Sequence, residues 1–371
     1  MKKILMMGMS PVLAGTETFI MTYYRNLSPK DYKIDFLVNT NEKIIFEDEI
    51  LKCGSKIFRL PRKSLNLKKY YQEIDILFRK ISHEYDIFWF NGMGIVNLDY
   101  FVFAKKYGIR KRIIHSHSSK WGGNLVRRIL HEINKRRLGL YATDFFACSE
   151  TAADYMFTKN LRGRAKIINN AIDLQKFTFN KVGREKIREE LGWETKKIVG
   201  NIGRLSRQKN QPFLIDIFNE AYKIDHDLRL LLLGSRTGDD NTESVIQQKI
   251  NEYGLSDVVK LVGTKTDIQS WLSSMDLFIM TSIFEGLPLS AVEAQANGVP
   301  LLLSDSITSE TAINSNVHFI SLEKDIKYWA KYIVEFVSYR RIEFKEIENN
   351  FNNLGFNIKT QIKNIERLLN E

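Results

Sequence analysis

Short apolar runs alternate with amphipathic, helix-length stretches along most of the chain, and that alternation leaves few folds open. Strands separated by helices pair in parallel, so the pattern selects sheets with helices packed on both faces. Strands are predicted at Lys3–Met9, Lys33–Val38, Lys56–Leu60, Asp86–Asn91, Arg112–His115, Asp144–Cys148 and Lys166–Asn169, with helices such as Glu17–Leu27 and Tyr70–Ser82 between them. Leu228–Gly234, Val258–Gly263 and Asp276–Thr281 read as further strands, Ile326–Tyr339 and Lys359–Leu369 as closing helices. A chain of 371 residues exceeds one comfortable core, so two domains are expected.

Bulk properties narrow the class. With 44% hydrophobic and 27% charged residues, the composition is that of an ordinary globular protein. No apolar run approaches the roughly 18 residues that a spanning helix needs. The opening MKKILMMGMSP imitates a secretory signal with its two lysines. Its apolar part is only about six residues long and leads into a glycine turn, which reads as a first strand. Cys53 and Cys148 lie far apart in apolar settings and match no metal spacing. They are expected to be reduced core thiols of a cytoplasmic protein.

Charge is unevenly spread. Residues 1–180 hold 31 Lys and Arg against 17 Asp and Glu, and 101–137 hold eleven basic residues against one acidic residue, Glu132. No nucleic-acid-binding motif accompanies the cluster, so nucleic acid is not an expected partner. Trp121, Leu125, Val126, Ile129, Leu130 and Ile133 interleave with the basic residues of 105–137. That pattern gives an amphipathic basic helix suited to an anionic membrane surface, with a merely solvated face as the alternative.

The most informative local stretch is FEGLPLSAVEAQANGVP, Phe284 to Pro300. Glu285 falls in a loop after an apolar run, and Pro288 stands where a helix can start without losing a hydrogen bond. Gly298 and Pro300 then end that helix. Were Glu285 and Glu293 both helical, roughly 12 Å of rise and about 80° of turn would separate them. With Glu285 in the loop, both can face the rim above the strand ends, on either side of free helix N–H groups. That suits a phosphate ester flanked by hydroxyls. A second loop, within K-I-V-G-N-I-G-R-L-S-R-Q-K-N at 197–210, carries Arg204 and Lys209. One is a planar fork and the other a point charge, spaced to reach one diphosphate.

F-E-G-L-P-L-S-x-x-E-A-x-A-x-G-x-P resembles the signature of the family-four retaining GT-B glycosyltransferases. G-R-L-x-x-x-K-N, at Gly203, Arg204, Leu205, Lys209 and Asn210, is similar to another stretch of that family. The likeness extends over nearly the whole chain. It implies an α/β GT-B fold of two facing Rossmann-like, doubly wound domains with a deep interdomain cleft. Residues 1–180 would take the acceptor and 190–345 the nucleotide-sugar donor, with a C-terminal helix, about 350–371, crossing back to the first domain. I-I-N-N-A-I-D-L-Q-K-F at 167–177 resembles the family's join, and with the charged Lys181–Glu194 it puts the boundary near 175–195.

The resemblance also implies roles. Glu285 would orient the sugar hydroxyls and Glu293 the ribose. Gly203, Arg204 and Lys209 would meet the diphosphate, and Gly286, Leu287 and Leu289 would border it at the helix start. Gly234, Ser235, Thr264 and Ile268 would lie near the nucleotide. In S-P-V-L-A-G-T-E-T-F, residues 10–19, Ala14 replaces the first of two glycines usual in the family, while Gly15 and Glu17 keep their places. Gly15 and Thr16 remain candidate phosphate-facing amides. His115 and His117 end a strand on the same side by alternation. The family has one active-site histidine there, and His117 is favoured for touching the sugar or the departing phosphate. The catalytic set is then Glu285, His117, Arg204 and Lys209. Ser149 reads as a helix cap only.

The enzyme expected is a retaining hexosyltransferase with no cofactor besides its nucleotide-sugar substrate, UDP-linked by the family's habit, and with a lipid-linked or glycan acceptor. No metal is expected, since the histidine pair lacks further ligands and Asp239–Asp240 lies in a polar loop. The protein would be cytoplasmic and peripheral on the inner face of the cell membrane, serving a polysaccharide of the capsule or exopolysaccharide type. A nucleotide-sugar epimerase on the same fold and a non-catalytic, membrane-associated partner subunit are the alternatives. A nicotinamide dehydrogenase is disfavoured, because no G-x-G-x-x-G follows either opening strand.

Overall fold

The computed structural model describes residues 1–118, 125–235, 241–285 and 287–371. It falls into two units, Met1–Ala171 with Ile358–Glu371, and Ile172–Asn357.

The first unit is built on β1 (Lys2–Met7), β2 (Tyr32–Val38), β3 (Ile57–Arg59), β4 (Ile87–Gly92), β5 (Lys111–Ser116), β6 (Asp144–Ala147) and β7 (Lys166–Ile167). They form one sheet in the order β3-β2-β1-β4-β5-β6-β7, and every pairing is parallel. Alternation along each strand sorts side chains between two cores, as a sheet covered on both faces requires. Leu5, Leu37, Phe88, Ile114 and Phe145 enter one. Ile4, Phe36, Trp89, Ile113 and Phe146 enter the other, which the helix Ile358–Asn370 covers with Ile358, Ile365, Leu368 and Leu369.

The second unit repeats the plan with β8 (Lys197–Ile202), β9 (Leu228–Leu233), β10 (Val259–Leu261), β11 (Leu277–Met280), β12 (Leu301–Ser304) and β13 (Val317–Ile320). Its order is β10-β9-β8-β11-β12-β13, again wholly parallel. Strand order reverses between β1 and β4 and between β8 and β11. At such switch points successive loops leave in opposite directions and open a crevice at the carboxyl edge of the sheet.

Some expectations are corrected. The boundary comes earlier than 175–195, because Ile172 N donates to Phe356 O at 2.9 Å and Ile172 and Leu174 pack with Phe351 and Phe356. The helix Phe344–Asn353 stays in the second unit for the same reason, and only Ile358–Glu371 joins the first. Cys53 is exposed at the end of the helix Glu47–Lys52, whereas Cys148 is buried as expected. β12 and β13 leave no mark in the sequence, since four residues each give periodicity little to act on.

The helix Leu125–Arg137 is mounted with its apolar side outward. Leu125 is 71% exposed and Ile129 51%, and Val126, Leu130 and Ile133 are exposed too, while His131 and Asn134 are buried. Polar anchors explain this. Ile95 N donates to His131 Nδ1 at 3.1 Å, Asn134 Nδ2 donates to Ile95 O and Val96 O, and Lys135 Nζ reaches Tyr155 O at 2.6 Å. Trp121 lies outside the described residues. Among the described residues no helix is long and apolar enough to cross a membrane.

Candidate active site

In the second unit the loops that follow β8, β9 and β10 are stitched edge to edge. Gly203 N donates to Leu233 O and Gly234 N to Gly263 O, both at 2.9 Å, and Leu205 N to Ser235 O at 3.1 Å. Gly234 has φ +141°, and a Cβ there would lie 1.9 Å from Gly203 O. Only glycine allows this approach. A Cβ at Gly203 would meet Lys209 Cε at 3.1 Å, so Lys209 lies directly over Gly203. Thr264 Oγ1 donates to Ser235 Oγ at 3.1 Å, joining the third loop to the second. Ile268 begins the next helix, Ile268–Ser274, capped by Asp267.

Across the switch point, the loop after β11 is fastened to the loop after β8. Ile283 N donates to Gln208 O at 2.8 Å, and Gln208 Nε2 donates to Phe284 O at 3.1 Å. The fastening brings Lys209 Nζ to 2.8 Å from Glu285 Oε1, with side chains 13% and 12% exposed. The contact is an ion pair whose angles miss hydrogen-bond geometry, so Oε1 keeps an unused acceptor site. Arg204 is exposed on the same loop, and its guanidinium has no ion-pair partner among the described residues. Gly203, Arg204, Lys209, Gly234, Ser235, Thr264 and Glu285 therefore share one edge of the sheet.

Beyond Glu285, Gly286 lies outside the described residues, as does the Asp239–Asp240 pair. Leu287 is 8% exposed and packs in a core with Val292 and Phe351, with the partly buried Leu289 against the same core. The helix Leu289–Ala296 starts after Pro288 with no side-chain cap. Ala291 N and Val292 N turn back to Pro288 O, so the preceding Leu289 and Ser290 N–H groups find no main-chain acceptor among the described residues. Helix N-termini in this state attract anions. The helix ends as expected, with Gly298 at φ +78°. Glu293, half-buried on this helix, has no cation beside it among the described residues, and burial raises its pKa to about 8.

The first unit holds the remaining candidates. Asn91 Nδ2 donates to Met7 O, so its Oδ1 must be what faces His117 Nε2 at 3.0 Å. His117 then carries its proton on Nε2, and Nδ1 is an acceptor. Burial drives the His117 pKa down to about 3, so the ring is neutral and can take a hydrogen bond from a hydroxyl but cannot act as an acid. His115 stacks on it, ring centroids 4.3 Å apart, but is wholly buried, so of the two only His117 is within reach of a ligand. Gly15 and Thr16 open the helix Gly15–Asn26. Glu17 accepts from Ala14 N at 3.2 Å and from Ser10 Oγ at 2.7 Å, and so satisfies the amide of the residue that precedes the helix. Ala14 is extended, φ −144°, a conformation any residue adopts, which explains why the loop forms without the first glycine. Ser149 caps its helix as read, accepting from Ala152 N at 3.1 Å.

The sequence reading overlooked several supports. Gly8 has φ +139° and no room for a Cβ, which would lie 2.7 Å from Asn91 O; a glycine directly after an apolar strand was the available signal. Asn91, Gln208 and Thr281 hold site loops, but no local pattern marks them.

The family model of glycosyl transferases, group 1, matches residues 183–355. EpsF of Bacillus subtilis, named as a glycosyltransferase, is 27% identical over 368 residues, spanning 96% of this chain and 92% of its own. An Escherichia coli enzyme, UDP-Gal:alpha-D-GlcNAc-diphosphoundecaprenol alpha-1,3-galactosyltransferase, is 27% identical over 213 residues, spanning 55% of this chain and 54% of its own. Among solved structures, Anabaena HepE in complex with UDP superposes with a TM-score of 0.79 at 18% identity over the whole of both chains. The segment similar to the group 1 glycosyl transferases thus lies within the second unit, and the two parallel-sheet α/β units have the fold of the GT-B glycosyltransferases.

Proposed function

We propose that the protein is a retaining, metal-independent hexosyltransferase that takes its sugar from a nucleotide donor, UDP-linked, and extends a lipid-linked or glycan acceptor in cell-surface polysaccharide synthesis. The observation that carries this reading is the Lys209–Glu285 pair at the switch point, 2.8 Å apart, beside a glycine-lined edge and an uncapped helix N-terminus. Arg204, Lys209 and the Leu289 and Ser290 N–H groups stabilise the charge that grows on the departing diphosphate. Donors held in place before the charge develops usually contribute more to catalysis than any other effect. Glu285 takes sugar hydroxyls on the acceptor site its ion pair leaves unused, and Glu293 takes the ribose diol. In the retaining course, which rests on the resemblance of Phe284–Pro300, the bond from C1 to the diphosphate oxygen breaks. The acceptor oxygen bonds C1 on the same face, and its proton passes to the departing phosphate. His117, neutral and with Nδ1 free to accept, meets a hydroxyl rather than a phosphate.

The UDP choice is supported by HepE and the Escherichia coli enzyme, and the lipid-linked acceptor by the latter's name. The outward apolar face of Leu125–Arg137, bordered by Arg128, Arg136 and Arg137, supports peripheral docking on the anionic inner face of the cell membrane. Incubation with a panel of nucleotide sugars and membrane extract tests the reading. Nucleoside diphosphate release with a heavier lipid product, unaffected by EDTA, is the expected result. A new donor sugar without diphosphate release would indicate an epimerase, and no turnover with any donor a silent partner subunit.

A further inference from the structure

The pairing of β8 with β11 stops at Phe278 and Gly200, and the gap beyond it is filled by side-chain amides rather than apolar groups. Asn201 is 2% exposed, and its Nδ2 crosses the split to Ile279 O at 2.7 Å. Gln211, fully buried at the start of the helix Gln211–Ile224, lies above it. Its Nε2 donates to Arg204 O at 2.9 Å and approaches Asn201 Oδ1 at 3.5 Å. Its Oε1 accepts from Ser206 N at 3.4 Å. Thr281, also fully buried, donates from Oγ1 to Asn210 O at 3.1 Å and approaches Lys209 O at 3.3 Å. Asn210 itself takes the left-handed conformation, φ +56°, which these bonds help to hold.

We infer that Gln211 is a positioning residue for the donor diphosphate, acting through the main chain of Arg204 and Ser206 and backed by Asn201 and Thr281. Helix propensity and core burial offer no reason for a fully buried glutamine here, since an apolar residue would fill the space without demanding partners. The amide instead fixes a carbonyl and an amide two residues apart in the loop from which Arg204 and Lys209 project. A buried network with all its members paired holds one arrangement, and a partly paired one does not. The inference rests on the proposed nucleotide-sugar reading.

The test compares UDP with uridine on the full chain. Gln211→Met keeps length and burial but leaves Arg204 O, Ser206 N and Asn201 Oδ1 without that partner. UDP affinity is expected to fall roughly tenfold or more, with uridine affinity unchanged and the KM for the nucleotide sugar raised in parallel. Should Gln211→Met not fold, Thr281→Val carries the same comparison, because it removes only the hydroxyl that bonds the Asn210 carbonyl. Equal loss for UDP and uridine, or no loss for either, would overturn the inference while leaving the donor reading intact. Failure of the wild type to bind UDP would instead defeat the donor reading, and the inference with it.

Discussion

Replacing Lys209 by Met separates what the Lys209–Glu285 pair does for stability from what it does for the reaction. At 2.8 Å, with both side chains nearly enclosed, the Coulomb attraction at an effective dielectric of 20 is about 6 kcal/mol. Desolvation offsets much of that, and removing one partner of such a pair costs about 3–5 kcal/mol because the other charge is left buried alone. For a unit of this size that is an apparent Tm lower by about 6–20 °C. Lys209→Met combined with Glu285→Gln leaves no stranded charge and should regain most of the loss. Transfer should not return, because the departing diphosphate still lacks its cation, a deficit of about 10² to 10³ in rate. Thermal denaturation and diphosphate release on the two single variants and the double complete the cycle. A single variant as stable as the wild type, or a double variant that transfers sugar at the wild-type rate, would refute the reasoning.

Other expectations follow from particular groups. The Glu293 carboxyl releases its proton near 8 in the folded protein rather than near 4.5. Between those values the folded state holds the extra proton, so this group's contribution to stability falls as pH rises. Nucleotide affinity should rise toward pH 8 as the carboxylate forms for the ribose diol, and Glu293→Gln should flatten both profiles in denaturation and titration. Asp276 accepts from Arg184 Nη2 at 2.6 Å, from Arg188, and from Ile198 N at 2.8 Å, and Arg341 nearby has its pKa lowered to about 9 by burial. Asp276→Asn should therefore cost about 3–5 kcal/mol in chemical denaturation while the folded fraction keeps its donor KM. Replacing Arg127, Arg128, Arg136 and Arg137 together by Ser should weaken anionic-vesicle binding by roughly 10² to 10³, at about 1 kcal/mol per arginine. Unchanged co-sedimentation would assign the face another role.

What the sequence revealed tracks how local each cause is. The long apolar strands β1, β2 and β9 were legible from composition alone, and the helix stop at Gly298 from its need for a left-handed residue. The amphipathic pattern of Leu125–Arg137 was also plain, but its orientation was not. Periodicity reports that two faces differ, whereas the buried face here is chosen by the hydrogen bond that His131 accepts from Ile95 and by those that Asn134 donates to residues 95 and 96. The adjacency of Gly203, Lys209 and Glu285 was readable through the family signature. Asn201 and Gln211 were not, since each answers a partner from a different strand or loop. Cys53 was misjudged because apolar neighbours in sequence do not imply burial at a helix end.

Hydrogen exchange of the full chain with and without UDP bears most directly on the central claim, that the loops after β8 and β11 receive the donor diphosphate. Slowed exchange should concentrate at 203–210, 234–235, 264–268 and 287–293, and should largely disappear in Lys209→Met. Protection confined to other segments, or none at saturating UDP, would contradict the account.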